Sequence, residues 1–273
     1  MRLFTLFLAC LTLGSIAIHA QDATDYRSSK NPYYWKNRMP DASYWQQDVY
    51  YTINARIDEN EHRIDANQKL EYWNNSPDTL YHVFIRLHQN AFVKGSYLYN
   101  LQREKNINPR LGSHEAKGEG TIVTNLKADG AAVTTDLDNT ILKVNLNKPL
   151  LPGRYVTLTM DFQTWWDNGS TRRRMQMYDA WGFMHYNGVQ WFPKMCVYDR
   201  KLGWDTYQHL NKEFYGDFGV YDVKLDFPSN YIVEATGAIQ NRNEVLPPAL
   251  REKLELKNFA KKPWNEPPST IIP

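Results

Sequence analysis

From Asp48 onward, apolar and polar residues alternate with a period of two. Val49, Tyr51, Ile53, Ala55 and Ile57 form one set; Asp48, Tyr50, Thr52, Asn54, Arg56 and Asp58 form the other. Successive side chains of an extended chain point to opposite faces, so the pattern predicts a strand with one buried face. Asp58-Glu59-Asn60-Glu61 turns the chain. Alternation then resumes with Ile64, Ala66, Leu70 and Tyr72 against Arg63, Asp65, Lys69 and Glu71. Two such runs around a short polar turn predict an antiparallel hairpin. A third strand is expected over Leu80 to Leu87, after the break at Ser76-Pro77-Asp78.

Between residues 94 and 120 the periodicity vanishes. Lys, Asn, Gly and Glu dominate, with Gly112, Gly118 and Gly120 as punctuation, which predicts a long exposed excursion without helix. Sheet patterning returns at Thr121 to Leu126, with Asp129-Gly130 as a hairpin turn, and continues through Leu142, Val144 and Leu146. Beyond the Pro152-Gly153 turn, Val156, Leu158, Met160 and Phe162 alternate with Tyr155, Thr157, Thr159 and Asp161. Val220 to Phe227 and Tyr231 to Ala235 complete the set, Gly237 closing the last strand. The pattern predicts an all-β chain: antiparallel strands in a two-layer sandwich. A short helix is expected over Ala249 to Asn258 after Pro247-Pro248, followed by a Pro-rich linker. The expected divisions are a leader over 1–20, an arm over 21–45, a β domain over 46–240, and helix plus linker over 241–273. The arm's aromatics, Tyr33, Tyr34, Trp35, Tyr44 and Trp45, are expected to pack on the domain edge.

The leader changes the picture first. Arg2, the apolar run Leu3 to Ile18 and the small Ala20 read as a secretory signal peptide, so the protein is expected in a periplasmic or secreted setting. The run is shorter than the ~20 residues that span a bilayer, and no membrane span is expected after its removal. Cys196 is then the sole remaining cysteine, which leaves stability to the core rather than to a disulfide. A formal net charge of +2 over 273 residues lacks the basic footprint that nucleic-acid binding requires. The 9 Trp and 18 Tyr suit a broad sheet surface, or a face that binds sugar or peptide.

Candidate chemistry is sparse. A zinc peptidase helix needs H-E-x-x-H, two His four residues apart as ligands and a Glu to activate metal-bound water. The one His-Glu pair, His114-Glu115, has Gly118 where the second ligand belongs. His82 and His88 would lie ~20 Å apart along a strand, too far for one ion. His209 and Glu213 share helical spacing, which is more often a pair of surface neighbours than a metal site. His62 lies in a turn and is expected to be solvated. Cys196 follows Pro193-Lys194-Met195 in an aromatic run and is expected to be buried rather than nucleophilic. Arg172-Arg173-Arg174 suits either a solvated loop or a partner's acidic groups, and Asn168-Gly169-Ser170 matches a glycosylation acceptor. Trp181 to Gly188 joins large apolar groups to two Gly, which suggests a shaped loop.

One ordered series of segments carries a resemblance. It runs Gln190-Trp191-Phe192-Pro193-Lys194-Met195-Cys196-Val197-Tyr198-Asp199, Gly203-Trp204, Glu213-Phe214-Tyr215-Gly216-Asp217-Phe218-Gly219, Tyr221-Asp222-Val223, Phe227-Pro228 and Ala235-Thr236-Gly237. With Leu151-Pro152-Gly153 before an alternating strand, it resembles the N-terminal domain of the aminopeptidase N family of zinc metallopeptidases, over roughly residues 44 to 240. The resemblance implies a saddle-shaped β domain beside a thermolysin-like catalytic domain that lies outside this sequence and carries the zinc. No catalytic or metal-binding residue and no cofactor is therefore expected in this chain, since H-E-x-x-H and the family's Gly-x-Met-Glu-Asn strand have no counterpart here. It also implies that His185, Asn187 and Gln190 border the substrate cleft, though no acid stands there. Trp181, Phe183, Trp191 and Arg173 are expected at the packing surface between domains. A peptide is the implied partner. The residues alone leave another reading open: a free-standing secreted β-sandwich that binds glycan or extended peptide through exposed aromatics.

Overall fold

The computed structural model describes residues 27–31, 34, 43–169, 175–210 and 215–260. The leader, Tyr33 and Trp35 of the arm, and Arg172 to Arg174 lie outside the described residues. The chain divides into two units, Met1–Pro228 and Ser229–Pro273.

In the first unit, β1 (Asp48–Asp58) and β2 (Arg63–Trp73) form the expected hairpin, with Tyr51 opposite Leu70 and Ile57 opposite Ile64. Both apolar sets are buried, which is why the alternation is so regular. Gln68 also faces inward, a polar residue in an apolar row. The third strand, β3 (Leu80–Arg86), crosses to another sheet.

The excursion over 94–120 is partly helical, contrary to the sequence reading. After a 3-10 turn at His88–Phe92 come α1 (Tyr97–Glu104) and α2 (Ser113–Lys117). His114 and Glu115 are buried within α2. Tertiary contacts, described below, hold these short helices where periodicity is too brief to register.

Then follow β4 (Thr121–Ala128), β5 (Ala131–Ala132), β6 (Thr134–Asp138), β7 (Ile141–Leu150) and β8 (Tyr155–Trp165). The β4–β5 turn places Asp129 at φ 48° and Gly130 at φ 80°, both left-handed, as a tight hairpin turn requires. The remaining strands are β9 (Met175–Ala180), β10 (Phe183–Gly188), β11 (Lys194–Met195), β12 (Tyr198–Asp199), β13 (Gly203–Trp204) and β14 (Val220–Asp226).

A six-stranded sheet runs β14-β1-β2-β8-β4-β5 and a four-stranded sheet runs β11-β3-β7-β6. Tyr51, Ile53, Leu70, Leu158 and Phe162 of the first share one core with Val83, Ile85 and Val144 of the second. The architecture is the expected mainly antiparallel sandwich, with one exception. β14 lies parallel to β1, Tyr50 opposite Val220. A parallel neighbour needs a long crossover, and the chain between β1 and β14 supplies it. The approach is close: a Cβ on Gly219 would stand 2.9 Å from Val49 Cγ1 and 3.0 Å from the Val49 carbonyl oxygen.

The second unit contains α3 (Arg242–Val245), α4 (Pro248–Lys253) and a 3-10 turn at Leu256–Asn258. Pro248 opens α4, where its missing N–H costs nothing. Tyr231 to Ala235, read as a strand, is not one. Ile232 is 77% exposed, and β propensity without a ladder partner does not make a strand. Gly237, at φ 105°, bends the chain without closing a strand. Among the described residues no helix is long and apolar enough to cross a membrane.

Candidate functional site

The turn between β10 and β11 is held by side chains reaching out of the core. Gln89, fully buried, donates from Nε2 to the carbonyl oxygens of Val189 and Gln190, each at 3.1 Å. Gln68 Nε2 donates to the Pro193 carbonyl at 2.9 Å. The Met195 N–H donates to Tyr51 Oη at 2.9 Å, and the Cys196 N–H to the Phe84 carbonyl at 2.9 Å. Buried backbone groups need such partners, so the sequence spends polar residues in the core to supply them. Gln190 itself has φ 56°, a left-handed conformation that a non-Gly residue adopts only when its surroundings impose it. Trp191 and Phe192 anchor the turn: Trp191 packs on Phe162 with ring centroids 6.0 Å apart, and Phe192 on Tyr51 at 5.6 Å.

The segment before the turn, expected as a shaped loop, is a β hairpin. β9 and β10 pair antiparallel, and Trp181 (φ 56°) and Gly182 (φ 80°) form the two-residue turn. One hairpin face packs inward. Tyr186 packs at a tilt on Trp166, ring centroids 4.6 Å apart, and its hydroxyl lies 2.6 Å from His62 Nδ1. His62, expected to be solvated, is thus half-buried and engaged.

The other face carries Tyr178 opposite His185, the rings stacked 5.0 Å apart with planes 3° from parallel. Trp181 stands edge-on to His185 at 6.3 Å. Trp181 is 90% exposed, Phe183 73% and Tyr178 54%. A small hairpin seldom turns this much aromatic surface to water without a partner.

The candidate residues therefore separate. His185 and Asn187, two apart on β10, share the outer face with Phe183. Gln190 sits past the strand end in the pinned turn. Trp181 and Phe183 project from the hairpin, whereas Trp191 packs on the domain's own core. Arg173 lies outside the described residues. Gln68 and Gln89 were missed; the signal for Gln68 was its place within an otherwise apolar row of β2.

A charged cluster near β14 was also missed. Asp48 accepts from Tyr34 Oη at 3.0 Å and Asn75 Nδ2 at 2.8 Å, and pairs with Arg27 at 3.2 Å. Asp199 accepts from Tyr215 Oη at 2.7 Å and from the Lys201 and Leu202 N–H groups. Asp217 joins these carboxylates. Burial, then the Asp199 charge, push its carboxyl up to about 7, against the opposing pull of Lys194. Burial in turn lowers the Lys194 ammonium below its ordinary value.

Among the described residues no three His, Cys, Asp or Glu side chains converge to hold a metal ion. His114 Nδ1 lies 2.7 Å from Glu119 Oε2, and Glu115 caps its own helix through the Gly112 N–H. His88 occupies the 3-10 turn rather than extending β3, and His209 rests on Phe92; Glu213 lies outside the described residues. Cys196 is buried and burial pushes its thiol up to about 12, which leaves it unreactive at neutral pH. The described residues do not fit a peptidase zinc ion, which needs three protein ligands and an open position.

Comparison with known proteins returns solved structures alone: no family model and no curated protein matches the sequence. An M1 zinc metallopeptidase mutant from Deinococcus radiodurans, bound to a Tyr-Ser-Ala substrate, is 14% identical. The match covers 71% of this chain and 36% of that one, with a TM-score of 0.41. A two-domain M1 zinc metallopeptidase mutant bound to L-arginine is 15% identical, covering 67% and 33%, with a TM-score of 0.38. A counterpart bound to L-tryptophan is 14% identical, with the same coverage and TM-score. This chain thus spans about a third of the length of the solved proteins that it matches. It is similar, over 67 to 71% of its own residues, to zinc metallopeptidases, the class that the ordered segments from Gln190 to Gly237 resemble.

Proposed function

We propose that this chain is the non-catalytic β region of an exported zinc aminopeptidase. In this reading it packs beside a thermolysin-like catalytic domain, which supplies the zinc, and borders the cleft where peptides lose N-terminal residues. The observation that carries it is the joint geometry of hairpin and turn. Buried amides hold Gln190 in a left-handed conformation, while Trp181 and Phe183 stand out in water beside it in sequence. Such an arrangement suits a rigid edge with an apolar surface awaiting cover. The pattern of Arg2, Leu3 to Ile18 and Ala20 supports export to a periplasmic or secreted setting.

The test has two parts. The coding frame beyond Pro273 is expected to encode H-E-x-x-H, and the purified chain is expected to leave aminoacyl reporter substrates intact with or without zinc. Turnover by this chain that rises with added zinc would overturn the reading. The stacked Tyr178–His185 pair beside Trp181 favours a second reading, a free-standing module that stacks on glycan or grips extended peptide. Saturable binding of an oligosaccharide, lost in Trp181→Ala, would favour that alternative.

A further inference from the structure

The excursion between β3 and β4 has its own small apolar cluster of Ala91, Phe92 and Leu98, apart from the main core. Beside it lies a half-open pocket of about 280 Å³. Its floor is Phe92 and Leu98, and its far wall is the stretch through Ile107, Pro109 and Leu111.

Packing alone would close such a gap, but both walls are tied elsewhere. On one side, Ser96 Oγ donates to the Ala91 carbonyl at 2.7 Å and accepts the Tyr99 N–H at 3.1 Å, locking the 3-10 turn to the start of α1. On the other, the chain folds back over the end of α1. The Ile107 N–H donates to the Gln102 carbonyl at 2.8 Å, and Arg103 Nη1 to Asn108 Oδ1 at 3.0 Å. Leu111 is then fixed by its neighbour: the Gly112 N–H donates to Glu115 Oε2, and Asp167 Oδ2 takes the His114 and Glu115 N–H groups, all at 2.8 Å. These bonds fix each wall locally.

Its lining is mixed. Phe92, Leu98, Ile107 and Leu111 make one part apolar, Tyr99, Gln102 and Asn108 add neutral polar groups, and no acidic side chain lines it. Arg110 stands among the lining residues, exposed and without an ion pair or side-chain hydrogen bond among the described residues. A guanidinium is a planar fork matched to a carboxylate. Apolar walls with a few placed polar groups are the usual make-up of a small-molecule site.

We propose that this pocket binds a small amphipathic carboxylate, its apolar body against Phe92, Leu98, Ile107 and Leu111 and its carboxylate on Arg110. The inference is independent of the peptidase reading, since none of these residues belongs to the hairpin or the pinned turn. Titration calorimetry of the full chain with octanoate tests it, with octylammonium and octanol as controls. Octanoate is expected to bind at a single site and octylammonium not at all. Arg110→Ala weakens octanoate about tenfold, the loss expected for a charge-assisted hydrogen bond. Ile107→Trp fills the pocket and abolishes binding. Both positions are exposed, so thermal melting should leave each variant folded; Ile107→Phe replaces the Trp variant if it melts early. Absence of octanoate binding, equal binding of octylammonium, or binding indifferent to both substitutions would each overturn the proposal.

Discussion

Gln89 holds two carbonyl oxygens of the site with one amide group, so its loss has a calculable consequence. Gln89→Leu keeps the volume but removes both hydrogen bonds and is expected to cost about 0.5–1.5 kcal/mol in urea unfolding, the net worth of hydrogen bonding between neutral groups at a partly exposed site. An unchanged urea midpoint would show that the turn is not held this way. Asp217 makes a second prediction. Its folded-state value of about 7 lies above the ordinary 3.8, so the folded protein holds this proton more tightly than the unfolded chain. Stability from the group is therefore full below the ordinary value and is lost as pH rises through about 7. Asp217→Asn should be more stable than the parent at pH 8, with the advantage shrinking by pH 5. A pH-independent difference would refute the assignment. Neither residue announces itself in the sequence: a Gln in a strand and an Asp in an aromatic segment acquire their roles from neighbours distant along the chain.

Among elements, legibility followed burial. β1, β2 and β8 were readable because each buries one whole face, and a period of two is the direct trace of that burial. The Asp129-Gly130 and Pro152-Gly153 turns were readable because Gly130 and Gly153 adopt positive φ. α2 was not, because its start is capped by Asp167, more than fifty residues away in sequence. Asp167→Ala is expected to cost about 1–2 kcal/mol, as for other lost helix caps, and to expose the α2 amides to hydrogen exchange. Retained exchange protection over His114 and Glu115 would contradict that role. The β9–β10 hairpin was misread as a loop because its outer aromatics break the apolar-in, polar-out rule. Tyr231 to Ala235 erred in the opposite sense: a β-prone segment that finds no strand to pair with.

For the whole molecule, the fold class was legible from alternation, while the assignment of strands to sheets was not. β3 leaves its hairpin neighbours and β14 returns parallel to β1, choices made by the closing of the core rather than by any local pattern. Around the candidate site, the aromatic-Pro turn was legible as a turn; the amides that hold it were not. The account stands on the outward face of the hairpin being covered by a zinc-bearing domain. A photo-reactive benzoylphenylalanine at position 183 in the full-length gene product tests this most directly. Irradiation and peptide mapping are expected to yield a cross-link to a segment of the domain that carries H-E-x-x-H. Cross-links confined to residues 1–273, or no cross-link at all, would contradict it.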